Sequence, residues 1–139
     1  MAITTRIYSP AQITLGALWG GPIAATYFIH QNFVALQQAR AASNTLTLGT
    51  LLNMLFLLGL PFLPEHFPPL LLPLCYSLIT FLVVRRWQPD TRLSAGRSQL
   101  QPQSGWRVCC ISLVALMLNA LLAIMVMLIL SSLGLLDLR

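Results

Sequence analysis

The side chains that could carry chemistry are few and widely separated in this chain of 139 residues. The acidic residues are Glu65, Asp90 and Asp137, and the histidines are His30 and His66. General acid and base catalysis needs two such groups close together, and a metal site needs several ligands at short spacing. The sequence has neither pattern, and it lacks the motifs of phosphate-binding loops, serine hydrolases and zinc proteases. We therefore expect no enzyme activity, no metal and no cofactor.

The three cysteines also give no pattern that predicts a bound metal or a disulfide framework. Cys75 lies inside an apolar block, and Cys109 and Cys110 are adjacent at the start of another. Zinc sites and disulfide frameworks are typical of polar loops with C-x-x-C spacing. We interpret these cysteines as small buried apolar residues.

The composition indicates a membrane protein. Hydrophobic residues make up 57% of the chain, charged residues make up 8%, and the mean hydropathy is +0.78. A soluble domain has about 25% charged residues, which it needs to cover its surface. The net charge of +5 does not indicate nucleic-acid binding, because five of the eight arginines fall in one segment between apolar blocks. Such clustering is typical of topology signals.

Four apolar blocks predict an all-α bundle of about four transmembrane helices that forms a single domain over residues 1–139. A helix needs about 20 apolar residues to cross a hydrocarbon core of about 30 Å. The expected spans are residues 11–33, 46–63, 68–86 and 108–130, with a polar basic loop over residues 87–107.

Local signals predict where the first two helices begin. Ser9 and Gln12 have the spacing of a capping box, and Pro10 suits the first helical position because its missing N–H is not needed there. Further along, Ser43, Asn44 and Thr45 predict a break and a new N-cap before the second span.

Counting arginines predicts the orientation. If four spans alternate, Arg6 and Arg139 share one side, and the other side holds six arginines, namely Arg40, Arg85, Arg86, Arg92, Arg97 and Arg107. Because cytoplasmic loops carry the excess of basic residues, we expect residues 34–45 and 87–107 in the cytoplasm and both termini in the periplasm. Trp87 and Trp106 flank the basic loop, as interfacial aromatic residues do.

Small residues in the first helix predict a close-packing face. This face comprises Gly16, Gly20, Gly21 and Ala24, next to Trp19 and Pro22. Small residues four apart let a second backbone approach closely, and Pro22 is expected to bend the helix. The face binds either a partner or ligand, or the protein's own helices. Asn53 and Asn119, polar residues inside spans, are expected to form hydrogen bonds across helices.

The first 40 residues resemble a group of short bacterial inner-membrane proteins of unassigned function. The residues that carry the resemblance are Tyr8-Ser9-Pro10 with Gln12, then Gly20-Gly21-Pro22 with Ala24, and then Tyr27-Phe28 and Asn32-Phe33. The resemblance implies a bacterial inner-membrane location and transfers no catalytic or binding residue. In size and number of spans the chain is also similar to small membrane immunity proteins, which is an analogy of architecture.

These observations favour a non-enzymatic interaction protein of the inner membrane, an immunity protein against a membrane-acting toxin being one form of it. The alternatives are a subunit of a small oligomeric channel and an assembly factor of a membrane complex. Apart from Arg85 and Arg86 at the end of the third span, no Asp, Glu, Lys or Arg lies within an expected span, which argues against a proton-coupled transporter. The expected partners are membrane lipids and a membrane protein or a second copy, with no nucleic acid. The basic loop either binds acidic headgroups or is solvated and serves topology alone.

Overall fold

A computed structural model describes residues 5–64, 66–68, 70–87 and 100–135. The described chain is mostly helical. Its elements in chain order are strand β1 (Thr5–Ile7), helix α1 (Pro10–Ala35), helix α2 (Ala39–Gly59) continued by a 3₁₀ turn (Leu60–Phe62), helix α3 (Leu71–Trp87), strand β2 (Leu100–Pro102) and helix α4 (Gly105–Ser132).

Helix α1 is a hairpin of two antiparallel arms, residues 10–20 (the first arm) and residues 22–35 (the second arm). The aromatic rings of Tyr8 and Phe28 have their centroids 4.7 Å apart. In one straight helix, the 20 residues between them would span about 30 Å at about 1.5 Å per residue. Gly16 likewise faces the ring of Phe28, which is twelve residues away in the sequence.

The chain reverses at Gly21, which has a φ of 66° and a ψ of −158°. Glycine adopts these backbone angles readily, whereas other residues adopt them only with strain. Pro22 follows and begins the second arm, where its missing N–H is again not needed. The bend expected at Pro22 is therefore a full reversal. At the other end of the first arm, the predicted capping box of Ser9 and Gln12 is confirmed, with Pro10 in the first turn.

Asn32 closes the open end of the hairpin. Its Oδ1 accepts a hydrogen bond of 2.8 Å from the backbone N–H of Tyr8, and its Nδ2 donates one of 2.8 Å to the backbone carbonyl of Tyr8. The Asn32 side chain is 1% exposed. The Asn32 side chain thus pairs with both the N–H and the carbonyl of Tyr8 in a buried position. These two hydrogen bonds hold the start of α1 beside its end.

The two short strands join the start of the chain to the segment before α4. β1 and β2 are parallel, and Arg6 pairs with Gln101. The pairing is extended by a hydrogen bond from Gln103 N to Ile7 O and by another from Gln12 Nε2 to Gln103 O. Residues 5–7 therefore lie at the same end of the bundle as residues 100–104. The sequence expectation placed the N-terminal side of the chain opposite residues 87–107, and the pairing is contrary to that part of it.

The hairpin forms the centre of the bundle, because α1 packs against each of the other three helices. Its buried core includes Ile13, Ala24 and Phe28 of α1 together with Val84 of α3 and Ala115 of α4. By contrast, the backbones of α2 and α3 rarely approach each other, and the two helices meet through the rings of Phe56 and Tyr76, whose centroids are 6.1 Å apart. Two helical segments, Ala39–Phe62 and Gly105–Ser132, are long and apolar enough to cross a membrane.

The helix bounds differ from the predicted ones at two places. The break expected at residues 43–45 lies instead at residues 36–38, where Gln37 has a positive φ of 57° and ends the helix. Thr45 lies inside α2, where its hydroxyl donates to the carbonyl of Ala41 and so needs no helix end. Within residues 87–107, expected to be a loop, the structure has β2 and the first turn of α4, and residues 88–99 lie outside the described parts.

Candidate functional site

The small-residue face predicted in the first helix is used inside the protein. A Cβ on Gly16 would overlap the ring of Phe28, and a Cβ on Gly20 would lie 2.8 Å from the carbonyl oxygen of Ser112 and 2.5 Å from Cβ of Ala24. Gly16, Gly20 and Ala24 are all buried. The sequence allowed two interpretations of this face, a binding face for a partner or ligand and a packing face for the protein's own helices. Within one copy of the chain, these residues pack against the protein's own helices.

The aromatic and turn residues of that face lie beside a second, smaller cavity. Trp19 is 69% exposed, and it lines a cavity of about 300 Å³ together with Gly21, Pro22 and Asn119. The cavity lies where the hairpin turn approaches α4 and the start of α3. Trp19 is thus the one residue of the predicted face that presents a large apolar surface outward.

The two asparagines expected to bind across helices differ. Asn119 Nδ2 donates a hydrogen bond of 2.9 Å to the carbonyl of Gly20, just before the hairpin turn, where helix carbonyls lack partners in their own helix. Asn53 is buried, and its Oδ1 has no hydrogen-bond partner among the described residues. The expected cross-helix bond is therefore formed by the amide nitrogen of Asn119, whereas the side-chain oxygens of both Asn53 and Asn119 are buried without a partner among the described residues.

Potential metal-binding residues do not come together in the described parts of the chain. No group of three His, Cys, Asp or Glu residues occurs there. Nδ1 of His30 lies 3.1 Å from the carbonyl of Ala42, a contact that joins the second arm to α2 when this nitrogen carries the proton. Cys75, Cys109 and Cys110 are free and exposed on helix surfaces, so the expectation that they are buried is wrong.

A groove lies between α2 and α3, with the second arm of α1 as its floor. We refer to it as the α2–α3 groove, and its volume is about 530 Å³. Small-molecule sites have volumes of about 300–1,000 Å³. α2 packs on α1 through Gly49, which closely approaches Thr26, while α3 packs on α1 elsewhere; α2 and α3 meet at Phe56 and Tyr76 and diverge along the groove.

The threonine hydroxyls in the groove are already used by their own helices, and the other polar side chains that line it are Asn44 and Tyr76. Thr26 donates to the carbonyl of Pro22 at 2.9 Å, and Thr80 donates to the carbonyl of Tyr76 at 2.9 Å. Thr45 forms the same kind of bond four residues back along α2. Threonines bonded in this way present their methyl groups, so the groove offers a hydrocarbon surface. The other lining side chains are mostly apolar, among them Ile29, Leu48, Leu52, Ile79 and Val83.

Basic side chains lie at one end of the groove. Arg86 follows Ile79 by seven residues and Val83 by three, which puts it on the groove-lining face of α3. Arg40 precedes Asn44 by one turn and lies on the corresponding face of α2. Both arginines are exposed. The neighbouring Arg85 belongs to the face of α3 that carries Leu78 and Leu82, which do not line the groove.

Of the remaining basic residues of the predicted loop, the structure describes only Arg107. Arg107 is exposed in the first turn of α4, whereas Arg92 and Arg97 lie outside the described residues. The three acidic residues of the chain also lie outside them. Among the described residues, therefore, the arginines at this end have no carboxylate to neutralise them.

Sequence reasoning missed the α2–α3 groove, although part of its signal is present. Thr45, Gly49 and Leu52 form a row of small and apolar residues on α2, and Tyr76, Thr80 and Val83 form a similar row on α3. Such rows normally predict that two helices pack closely. Here the row on α2 and the row on α3 lie on either side of the second arm. The second arm lies between them only because α1 reverses at Gly21.

Comparison of the chain with protein-family models, with curated proteins and with solved structures finds no match, so the geometry described above is the basis for any functional proposal.

Proposed function

We propose that this chain is a multi-pass protein of the bacterial inner membrane in which α2, α3 and α4 cross the bilayer and α1 enters it and returns. The apolar lengths of Ala39–Phe62 and Gly105–Ser132 support the first part. α3, with 17 residues, has a rise of about 26 Å, close to the hydrocarbon thickness of about 30 Å. Each arm of α1 rises only about 17–21 Å, which suits a re-entrant hairpin.

This arrangement changes the expected orientation of one terminus. Among the described residues, Arg6, Arg40, Arg85, Arg86 and Arg107 belong to segments at the end of the bundle that carries the strand pair. Counted along the sequence alone, a re-entrant α1 followed by three crossings assigns seven arginines to this side and only Arg139 to the other, against six and two for four alternating spans. We propose that this end is cytoplasmic, with the N-terminus in the cytoplasm and the C-terminus in the periplasm.

Within the membrane, we propose that the protein acts by binding and not by catalysis, and that the α2–α3 groove is its binding site. The observation that carries this proposal is the mostly apolar groove between α2 and α3, whose threonine hydroxyls are satisfied by their own helices. A groove of this kind accepts a hydrocarbon segment of a membrane component without leaving a threonine hydroxyl unpaired.

The experiment compares two neighbouring positions of α3. Ile79 lines the groove and is 59% exposed, and Leu78 lies outside it and is 58% exposed. A photoreactive phenylalanine at each position, irradiated in native membranes, should give a discrete adduct from Ile79 that Leu78 does not give. Identical adduct patterns from both positions would contradict a binding site in the groove.

A second candidate role is protection against a membrane-acting toxin, in which case a segment of the toxin would be the component in the groove. Ile79→Trp, which fills the groove, should then abolish protection, and the matched variant Leu78→Trp should retain it. Unchanged protection by Ile79→Trp would refute this role. The alternative of a subunit of a small oligomeric channel would be recognised by solute flux into liposomes that contain the purified protein. An assembly factor would be recognised by stable co-purification with a larger complex.

A further inference from the structure

We infer that the α2–α3 groove, together with Arg40 and Arg86, binds one acidic phospholipid from the leaflet on the arginine side. The phosphate lies between the two guanidinium groups, and an acyl chain lies along the groove. This inference rests on the proposed function, because it identifies what the groove binds.

The length of the groove favours a lipid chain over a transmembrane helix. Its lining extends from Asn44 to Leu52 on α2 and from Tyr76 to Trp87 on α3. At about 1.5 Å per residue these stretches rise about 12 Å and 17 Å. That is roughly half of a hydrocarbon core of about 30 Å, and so the depth of one leaflet. A partner helix would need a groove along the full thickness.

The charges are placed for a headgroup. Arg40 precedes Asn44, the first lining residue of α2, by one turn, and Arg86 lies between the last two lining residues of α3, Val84 and Trp87. Guanidinium groups bind phosphate oxygens through paired N–H donors, and the described residues contain no carboxylate that competes for them. Trp87 lines the groove at the same level and is 62% exposed, which suits a ring at the headgroup boundary.

The interior of the groove suits a hydrocarbon chain. Because Thr45 and Thr80 donate to carbonyls of their own helices, they do not require a polar ligand there. The arginines lie at one end, and of the other polar lining side chains Asn44 lies near that end and Tyr76 lies at the opposite end. A molecule with an anionic head and a hydrocarbon tail matches this arrangement.

The test uses the intact protein in a mild detergent, titrated separately with phosphatidylglycerol and phosphatidylcholine of identical acyl chains, with bound lipid counted by native mass spectrometry. We expect one phosphatidylglycerol to be retained, with phosphatidylcholine bound more weakly. Arg40→Gln combined with Arg86→Gln should weaken phosphatidylglycerol binding about 30-fold. This corresponds to about 1 kcal/mol for each arginine at tenfold per 1.4 kcal/mol.

Two controls separate a site from general attraction. The pair Arg85→Gln and Arg107→Gln removes the same charge from exposed positions outside the groove, and it should leave binding within about twofold of the unaltered protein. Glycerol phosphate, which carries the charge without the chains, should not displace the lipid. Equal weakening by both pairs of substitutions, or equal retention of the two lipids, would overturn the inference.

Cross-linking from Ile79 distinguishes failure of this inference from failure of the proposed function. An adduct whose mass is that of a phospholipid supports both. A discrete protein adduct retains the groove as a binding site and overturns the lipid assignment. Adducts that do not differ from those of Leu78 overturn both.

Discussion

A double-mutant cycle between Gly16 and Phe28 tests the hairpin on which the whole arrangement depends. In the structure, a Cβ on Gly16 would overlap the Phe28 ring, one atom of which, Cδ2, would lie 2.9 Å away. Gly16→Ala should therefore destabilise the protein by about 1–3 kcal/mol through overpacking. Removing the ring by Phe28→Ala, which alone should cost about 3–5 kcal/mol, makes room for the added methyl group.

The expected interaction energy is thus about 1–3 kcal/mol, with the double variant more stable than the sum of the single effects predicts. The helix-forming advantage of alanine over glycine, about 0.5–1 kcal/mol, is present in both backgrounds and cancels in the cycle. The free energy of unfolding would be measured by denaturation with sodium dodecyl sulfate in mixed micelles, followed by circular dichroism.

A straight α1 gives a different result. Twelve residues of continuous helix would place these two positions about 18 Å apart. Residues more than about 7–10 Å apart have additive effects within about 0.3–0.5 kcal/mol. Additivity in that range would refute the hairpin. Gly59→Ala is the matched control, because nothing lies within 4 Å of a Cβ built there, and it should change the unfolding free energy little.

Three further perturbations test the packing and topology. Arg6→Cys combined with Gln101→Cys, in a chain without other cysteines, should form a disulfide on oxidation, since paired strands lie about 4.8 Å apart; two thiols that react with maleimide but not with each other would disprove the pairing. Asn119→Leu should lower the unfolding free energy by about 0.6–2 kcal/mol by removing the hydrogen bond to the hairpin turn, and Asn53→Leu should lower it less; the reverse order in thermal unfolding would be inconsistent with this assignment. Gly21→Ala should destabilise by about 1–3 kcal/mol because of its backbone angles, and a thermal midpoint equal to that of the unaltered protein would show that these angles are not needed.

Features set by local sequence were predictable. The capping box of Ser9 and Gln12 needs only residues three apart, and it begins α1 where expected. The apolar blocks gave the existence of all four helices, and the last block gave α4 within a few residues. These signals depend on neighbours along the chain, so tertiary contacts do not alter them.

Features set by distant contacts were not predictable from the sequence. The pairing of β1 with β2 joins three-residue strands about 95 positions apart, and strands this short have no reliable pattern. The break expected at residues 43–45 was wrong, because serine and threonine in a helix can return their hydrogen bonds to the carbonyl four residues back. The α2–α3 groove depends on where α1 lies, and no local pattern encodes a space that three helices enclose.

The sequence around the turn of α1 contained a signal for the reversal, although the length and hydropathy of the apolar stretch favoured a single crossing. An apolar stretch of 26 helical residues is long enough to span a bilayer, which favours a single crossing. Glycine after a helix and proline at the first position of the next are, however, the usual residues of a helix end followed by a helix start. Gly21 and Pro22 occur in that order, so they predict a reversal as readily as a bend.

That choice at one dipeptide determines the topology of everything that follows. If α1 crosses, the start of the chain and the basic segment before α4 are on opposite sides of the membrane, and the pairing of Arg6 with Gln101 is impossible. If α1 returns, the two segments meet, as the pairing of β1 with β2 requires. The arginine count is compatible with either form, because four crossings also leave six of the eight arginines on one side. Proteins with Gly-Pro in the middle of an apolar stretch therefore need a distance measurement across the turn before spans are counted.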